Sequence, residues 1–265
     1  MQLDDLSQYR FATLLKMLNS KRPLDAITAQ KLEEHFYLKY NQQSNAIEGN
    51  SLTLIETKVL LENGITAKGK PFKDHLDIIN HRNAIYYLKD LIKENNPLSE
   101  KQIKEFNYLL LKGTDYEYSA GKYRNVPVMI GGSEHIPPQP YLVQTEMDNL
   151  LINYHQSIAA LPHSDEFLDI KCIARLHADF VHIHPFTDGN GRTGRLLMNL
   201  ELIKRGYPLA IISDSDRIEY YQALSQADKR NYEEIECFLL ETIKRTLCDT
   251  LNVVFPDWQH HYLND

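Results

Sequence analysis

The strongest constraint in this 265-residue chain is a change of pattern at one point. Apolar residues recur at Ile173, Leu176, Phe180 and Ile183, a spacing of three, four and three that puts them on one helix face. The face stops at His184-Pro185. Proline disfavours helical geometry at the residue before it, so His184 is expected to open a loop. That loop reads "HPFTDGNGRTGR", His184 to Arg195, with Phe186 as its apolar anchor, and a second helix is expected to begin at Gly189-Asn190-Gly191. Two helices must therefore meet at a corner whose polar residues are held by rigid elements.

The residue types at this corner suit a metal-bound polyphosphate. Asp188 can offer carboxylate oxygens to a hard cation such as Mg²⁺. The amides of Gly189, Asn190 and Gly191, at a helix N-terminus, favour an approaching anion. Arg192 and Arg195 lie three apart on one helix face, and guanidinium groups bind phosphate as a bidentate fork. Two other readings stay open on the residues alone. One is a capped interhelical turn with solvated arginines. The other is a metallohydrolase with His177, His182, His184 and Asp188 as ligands, although no HExxH spacing supports it.

Helical periodicity continues through most of the chain, so the fold class is mainly α. Leu32, Phe36 and Tyr40 recur every four residues, and "SLTLIETKVLLENG" has Thr53 as N-cap, Glu56 three residues on and Gly64 as a stop. Further helices are expected near 99–112, 141–160, 190–205, 215–228 and 231–253. One stretch departs from this pattern. From Gly121 to Pro138, apolar residues alternate at Val126, Val128 and Ile130, Gly131-Gly132 offers a turn, and two prolines follow. This predicts a short β-hairpin lying against the helices. A boundary near Asn95–Glu100 divides the expected organisation into an N-terminal helical lobe (1–97), a core (98–246) and a C-terminal tail (247–265). Trp258, His260 and His261 fall in that tail, which is expected to be loosely packed.

Composition narrows the partners. A formal net charge of −7 argues against broad nucleic-acid binding, which needs a basic surface to neutralise phosphates. The three cysteines, Cys172, Cys237 and Cys248, are widely spaced and odd in number, which fits a reducing compartment better than a disulfide framework. The sequence has no signal-like start and no long apolar run, so a cytoplasmic protein without a membrane partner is expected.

"HPFTDGNGRTGR" is similar in full to the signature of the Fic (Fido) family, HxFx(D/E)GNGRxxR. "GKYRNVPVMIGGSEHIPPQPYLV" resembles that family's target-docking flap, and "DRIEYYQAL" its following helix, so the likeness spans most of residues 30–245. The resemblance implies a Fic-type helical core with a hairpin flap and an adenylyltransferase that moves AMP from ATP to a Ser, Thr or Tyr hydroxyl of a protein. It makes His184 the general base, Asp188 the Mg²⁺ ligand, Gly189, Asn190, Gly191 and Arg192 the phosphate cradle, and Arg195 the holder of the γ-phosphate. Tyr220 and Tyr221 would line the adenine pocket, with Asp228 where many relatives carry Asn. Core packing is the alternative role for the two tyrosines. The protein substrate would dock along the flap by strand pairing, and the chain itself is a candidate substrate. A homodimer is compatible with the sequence.

One more stretch, "SNAIEGN" from Ser44 to Asn50, puts Ser44 and Glu48 four apart on a helix face, with Gly49 as a stop. By itself this is a helix terminus. It resembles the inhibitory motif (S/T)xxxE(G/N) of Fic proteins, which implies that Glu48 pairs with Arg195 in the place of the γ-phosphate. In some such relatives the same Glu activates water to remove AMP, so a de-AMPylase or bifunctional enzyme is one alternative. An idle nucleotide-binding regulator is another, and the complete motif weighs against it.

Overall fold

The computed structural model describes residues 10–131, 133–161 and 167–262. Eleven α-helices run through these residues: α1 (Phe11–Ser20), α2 (Ala26–Ala46), α3 (Leu54–Asn63), α4 (Phe72–Glu94), α5 (Glu100–Leu111), α6 (Val143–Ala159), α7 (Leu168–Ile183), α8 (Asn190–Lys204), α9 (Arg217–Asp228), α10 (Glu233–Val254) and the single turn α11 (Trp258–Tyr262). Local chemistry sets several starts and stops. Thr53 and Glu56 form a reciprocal capping box at α3, which ends at Gly64 with φ 71°. Ser99 and Gln102 do the same at α5, and Asp25 accepts from the Thr28 amide at α2.

Helix α7 is the centre of the molecule and packs against α6, α8, α9 and α10. Helix α4 lies across α2, α5 and α8, so the end of α2 is carried to the start of α8. One apolar cluster runs from Leu14 in α1 through Tyr40 and Phe180 to Leu247 in α10 and Trp258 in α11. The core is therefore continuous across the expected division at 97/98. The division at 246/247 falls inside α10. Residues 1–9 of the expected lobe and 263–265 of the expected tail lie outside the described residues.

Two expectations are corrected. Trp258 is fully buried and its indole N–H donates to Asn252 Oδ1 at 2.7 Å, because the chain turns back after Val254 and folds α11 onto the core. The region is thus not a loosely packed tail. Among the described residues there is also no β-strand, so the hairpin expected over Gly121–Pro138 is not seen, and its described residues are turns, bends and irregular chain. Gly132, half of the expected turn, lies outside the described residues. The neighbouring Ser133 amide donates to the Ile130 carbonyl at 3.2 Å. Val126, Met129 and Ile136 are exposed, Met129 at 93%. An alternating run buries one face only when a second strand completes the surface, and the two prolines at 137 and 138 bring no N–H to a ladder.

Candidate active site

The corner between α7 and α8 is held by its own side chains. His184 closes α7 in the left-handed region, φ 49° and ψ 60°, an unusual conformation for a residue with a Cβ. Phe186 is fully buried beneath the loop. Its amide donates to Asn190 Oδ1 and its carbonyl accepts from Asn190 Nδ2, both at 2.8 Å, closing the loop on itself. Asn190 therefore shapes the corner from beneath. Gly189 begins α8 at φ 76°, and a Cβ there would press to 3.1 Å from Asn107 Nδ2, so glycine is required on both counts. Asn107 on α5 also donates to the Asp188 carbonyl at 2.9 Å and accepts from the Gly121 amide at 3.0 Å.

Burial pushes the His184 imidazole down to about 4. The Val181 carbonyl opposes this, the nearby Arg124 guanidinium adds to it, and Glu48 and Asp188 act weakly against it. The ring is therefore neutral at pH 7 and able to accept a proton. The Asp188 carboxylate is 36% exposed at the loop rim and accepts no hydrogen bond among the described residues. Its one charged neighbour there is Arg192 Nη2, at 3.6 Å. Its free lone pairs fit a hard cation.

Both arginines of the motif are buried, and each is held by an acid from the N-terminal half, one on α4 and one in the turn after α2. Arg192 Nη1 donates to Asp77 Oδ1 of α4 at 2.7 Å. Arg195 Nε donates to Ser44 Oγ at 3.0 Å, and Nη2 donates to the Ser44 carbonyl and to Glu48 Oε1, both at 2.7 Å. Burial works against the Arg195 charge, yet the Glu48 carboxylate raises its affinity for the proton above the ordinary value. Glu48 in turn is held below the usual carboxylate range by Arg195 and Arg192, despite the opposing effect of burial. Helix α2 ends at Ala46, so Glu48 sits in the turn that follows rather than on the helix face. A Cβ built on Gly191 would collide with Glu48 Oε1. The carboxylate thus rests directly over the first turn of α8, where backbone amides attract an anion.

The remaining sequence-predicted residues divide. Tyr221 reaches solvent, with Arg217 over its ring at 5.6 Å. Tyr220 is 1% exposed and its hydroxyl lies 2.8 Å from His177 Nε2, the packed arrangement given above as its alternative role. The four-ligand metal set is also not assembled, because His177 is engaged by Tyr220 and His182 Nδ1 by Asp228 Oδ1 at 2.9 Å. His135 joins His182 and Asp228, their ligand atoms all within 4.8 Å of one another. The two imidazoles stack face to face at 3.9 Å, an arrangement in which their in-plane lone pairs do not converge on one ion.

Sequence reasoning missed Asp77, Asn107 and Arg124. Asp77 had a faint signal, since it shares a helix row with His81 and Ile85 on the buried side of α4. The partners of Asn107 and Arg124 are backbone groups, from 2 to 81 residues away, which no spacing of side chains reveals.

Residues 97–202 match the Fic/DOC family. The chain is 32% identical over 250 residues to a protein adenylyltransferase Fic of Culex quinquefasciatus, covering 92% of this chain and 48% of that protein. It is 31% identical to the protein of the same name from Nematostella vectensis, covering 85% of this chain and 51% of that one. The chain thus spans about half the length of the curated relatives it matches. Among solved structures, a Fic domain containing signaling protein from Bacteroides thetaiotaomicron superposes with a TM-score of 0.82 at 28% identity, over 92% of this chain and 96% of that one. Fic-1 from C. elegans superposes at 0.78 with 25% identity, over 94% and 72% of the respective chains. No helix among the described residues is long and apolar enough to cross a membrane. The corner that holds His184, Asp188, Asn190, Arg192 and Arg195 lies within residues 97–202, the stretch that matches the Fic/DOC family.

Proposed function

We propose that this chain transfers AMP from Mg²⁺-bound ATP to a hydroxyl group of a protein, and that Glu48 restrains the reaction. The observation that carries the reading is Glu48 Oε1, lying against Arg195 Nη2 at 2.7 Å and over Gly191. A carboxylate already occupies a cradle made for an anion.

In the proposed reaction the neutral His184 ring takes the proton of the acceptor hydroxyl. The oxygen then bonds to the α-phosphorus, the bond from that phosphorus to the bridging oxygen breaks, and pyrophosphate leaves. The amides at Gly191 and Arg192, with the guanidinium groups, hold the phosphates in line and take up the charge of the leaving group. Asp188 would hold Mg²⁺, which neutralises charge on the phosphate oxygens. Arg195 would hold the γ-phosphate once Glu48 withdraws. The acceptor protein would lie along the exposed edge of Val126–Ile136, which is open to main-chain pairing, and a second copy of this chain is one candidate for it.

A second reading is removal of AMP from a modified protein. It is favoured by the 35% accessibility of the Glu48 side chain, which leaves one edge of the carboxylate free to orient water. Incubation with ATP labelled at the α- or the γ-phosphate tests the main reading. Mg²⁺-dependent entry of α-label into protein, without γ-label, supports it, and entry of γ-label alone refutes it.

A further inference from the structure

Arg124 is 3% exposed, has no carboxylate partner among the described residues, and still carries a full charge into the interior. A buried guanidinium is costly unless its N–H groups are satisfied. Here four of the five N–H donors go to main-chain carbonyls. Nε donates to His184 O at 2.8 Å, Nη1 to Val126 O at 3.2 Å, and Nη2 to Pro138 O at 2.6 Å and Ile183 O at 3.4 Å. The Arg124 amide adds a bond to Pro185 O at 2.9 Å. These acceptors form two groups: the end of α7 with the start of the catalytic loop, and the two ends of the exposed segment 126–138.

We propose that Arg124 is a positioning residue that locks the His184 backbone and both ends of the 126–138 segment into one unit. A hydroxyl presented on that segment then arrives in register with the base. The inference rests on the AMP-transfer reading given above. Three physical effects support it. The carbonyls at the C-terminus of α7 carry partial negative charge, which a guanidinium complements. The left-handed φ of 49° at His184 needs external bonds to persist, and Arg124 supplies one to the carbonyl of that residue. The Arg124 charge also helps keep the imidazole neutral, against Glu48 from the turn after α2 and Asp188 from the same loop.

The test compares Arg124→Lys and Arg124→Gln, each in a Glu48→Gly chain, by three measurements. These are self-transfer of α-labelled ATP, ATP affinity by calorimetry, and NMR titration of the His184 ring, with thermal unfolding as the check on folding. Lysine keeps the charge but cannot span four carbonyls. Arg124→Lys should therefore lose on the order of 10²-fold in transfer rate, with ATP affinity within about twofold and the His184 titration midpoint in place. Arg124→Gln should lose as much, and its His184 midpoint should move to higher pH, carrying the acid limb of the rate profile with it. Retained transfer in both variants, or equal loss of transfer and ATP affinity, overturns the positioning role. If Arg124→Gln does not fold, Arg124→Lys decides. If the parent Glu48→Gly chain transfers AMP neither to itself nor to added protein, the proposed function has failed, and Arg124 is judged by amide hydrogen exchange at His184 and across 126–138. Exchange unchanged in both Arg124 variants then overturns the locking.

Discussion

The corner between α7 and α8 and the 126–138 segment lie side by side and are built in different ways. The corner carries its restraints in its own sequence: Phe186 buried below, Asn190 bonded twice to Phe186, and a left-handed Gly189. The segment has an alternating apolar pattern but no strand to pair with among the described residues, and Met129 stands almost fully in solvent. It is held at its two ends by Arg124 and at one point between them, where His135 Nε2 donates to the His182 carbonyl at 2.9 Å. A loop stays rigid when its polar groups are satisfied locally, and an extended edge stays available when they are not. On the proposed function, the difference would suit a fixed reaction centre beside a docking segment.

Substitutions can break this contrast. The largest effect should come from His184→Ala, with transfer reduced by about 10²- to 10⁴-fold and ATP affinity nearly unchanged, since a base acts on the hydroxyl rather than the nucleotide. Near-normal transfer would make His184 a structural residue. Asn190→Ala should cost about 1–3 kcal/mol in chemical denaturation, because it leaves the Phe186 amide and carbonyl unpaired in the interior. A neutral result would show that the corner is not held by this pair. On the other side of the contrast, Met129→Pro should alter stability by less than about 0.5 kcal/mol yet lower transfer to a protein by up to about tenfold, the worth of one main-chain bond. Equal loss of ATP affinity would make the segment a cover for the site instead of a docking edge.

The smallest effect near neutrality concerns pH. His177 and His184 are each pushed from an ordinary 6.5 to about 4, chiefly by burial, and burial beside Arg192 and Arg195 lowers His81 as well. Between those limits the unfolded chain binds protons that the native chain refuses. Stability should therefore be flat above about 6.5 and fall as pH drops toward about 4. His184→Asn should flatten part of that fall. An unchanged slope would mean that His184 is not buried in its neutral form.

Much of this was legible in the chain itself. The starts of α3 and α5 follow from side-chain caps within four residues, and the corner follows from a proline, a glycine pair and a break in apolar spacing. Glu48 meeting Arg195 was readable only through the resemblance, since 147 residues separate them. What escaped depends on distant main chain or on tertiary burial. Arg124 finds carbonyls some 60 residues away, and Asp77 meets Arg192 from 115 residues earlier. The hairpin reading failed because alternation states which face a strand would bury, not whether a second strand is there.

The most direct measurement is a double-mutant cycle on Glu48 and Arg195, read by ATP affinity and by transfer of α-label. If the carboxylate and the γ-phosphate compete for one guanidinium, Glu48→Gly raises transfer, and the gain vanishes when Arg195→Ala is added. The single Glu48→Gly chain should also unfold more easily without ATP and recover with it, because the buried Arg195 keeps its Ser44 bonds but has no anionic partner until the nucleotide arrives. A Glu48→Gly chain with unchanged transfer at every ATP concentration, or a gain that survives loss of Arg195, would contradict the competition.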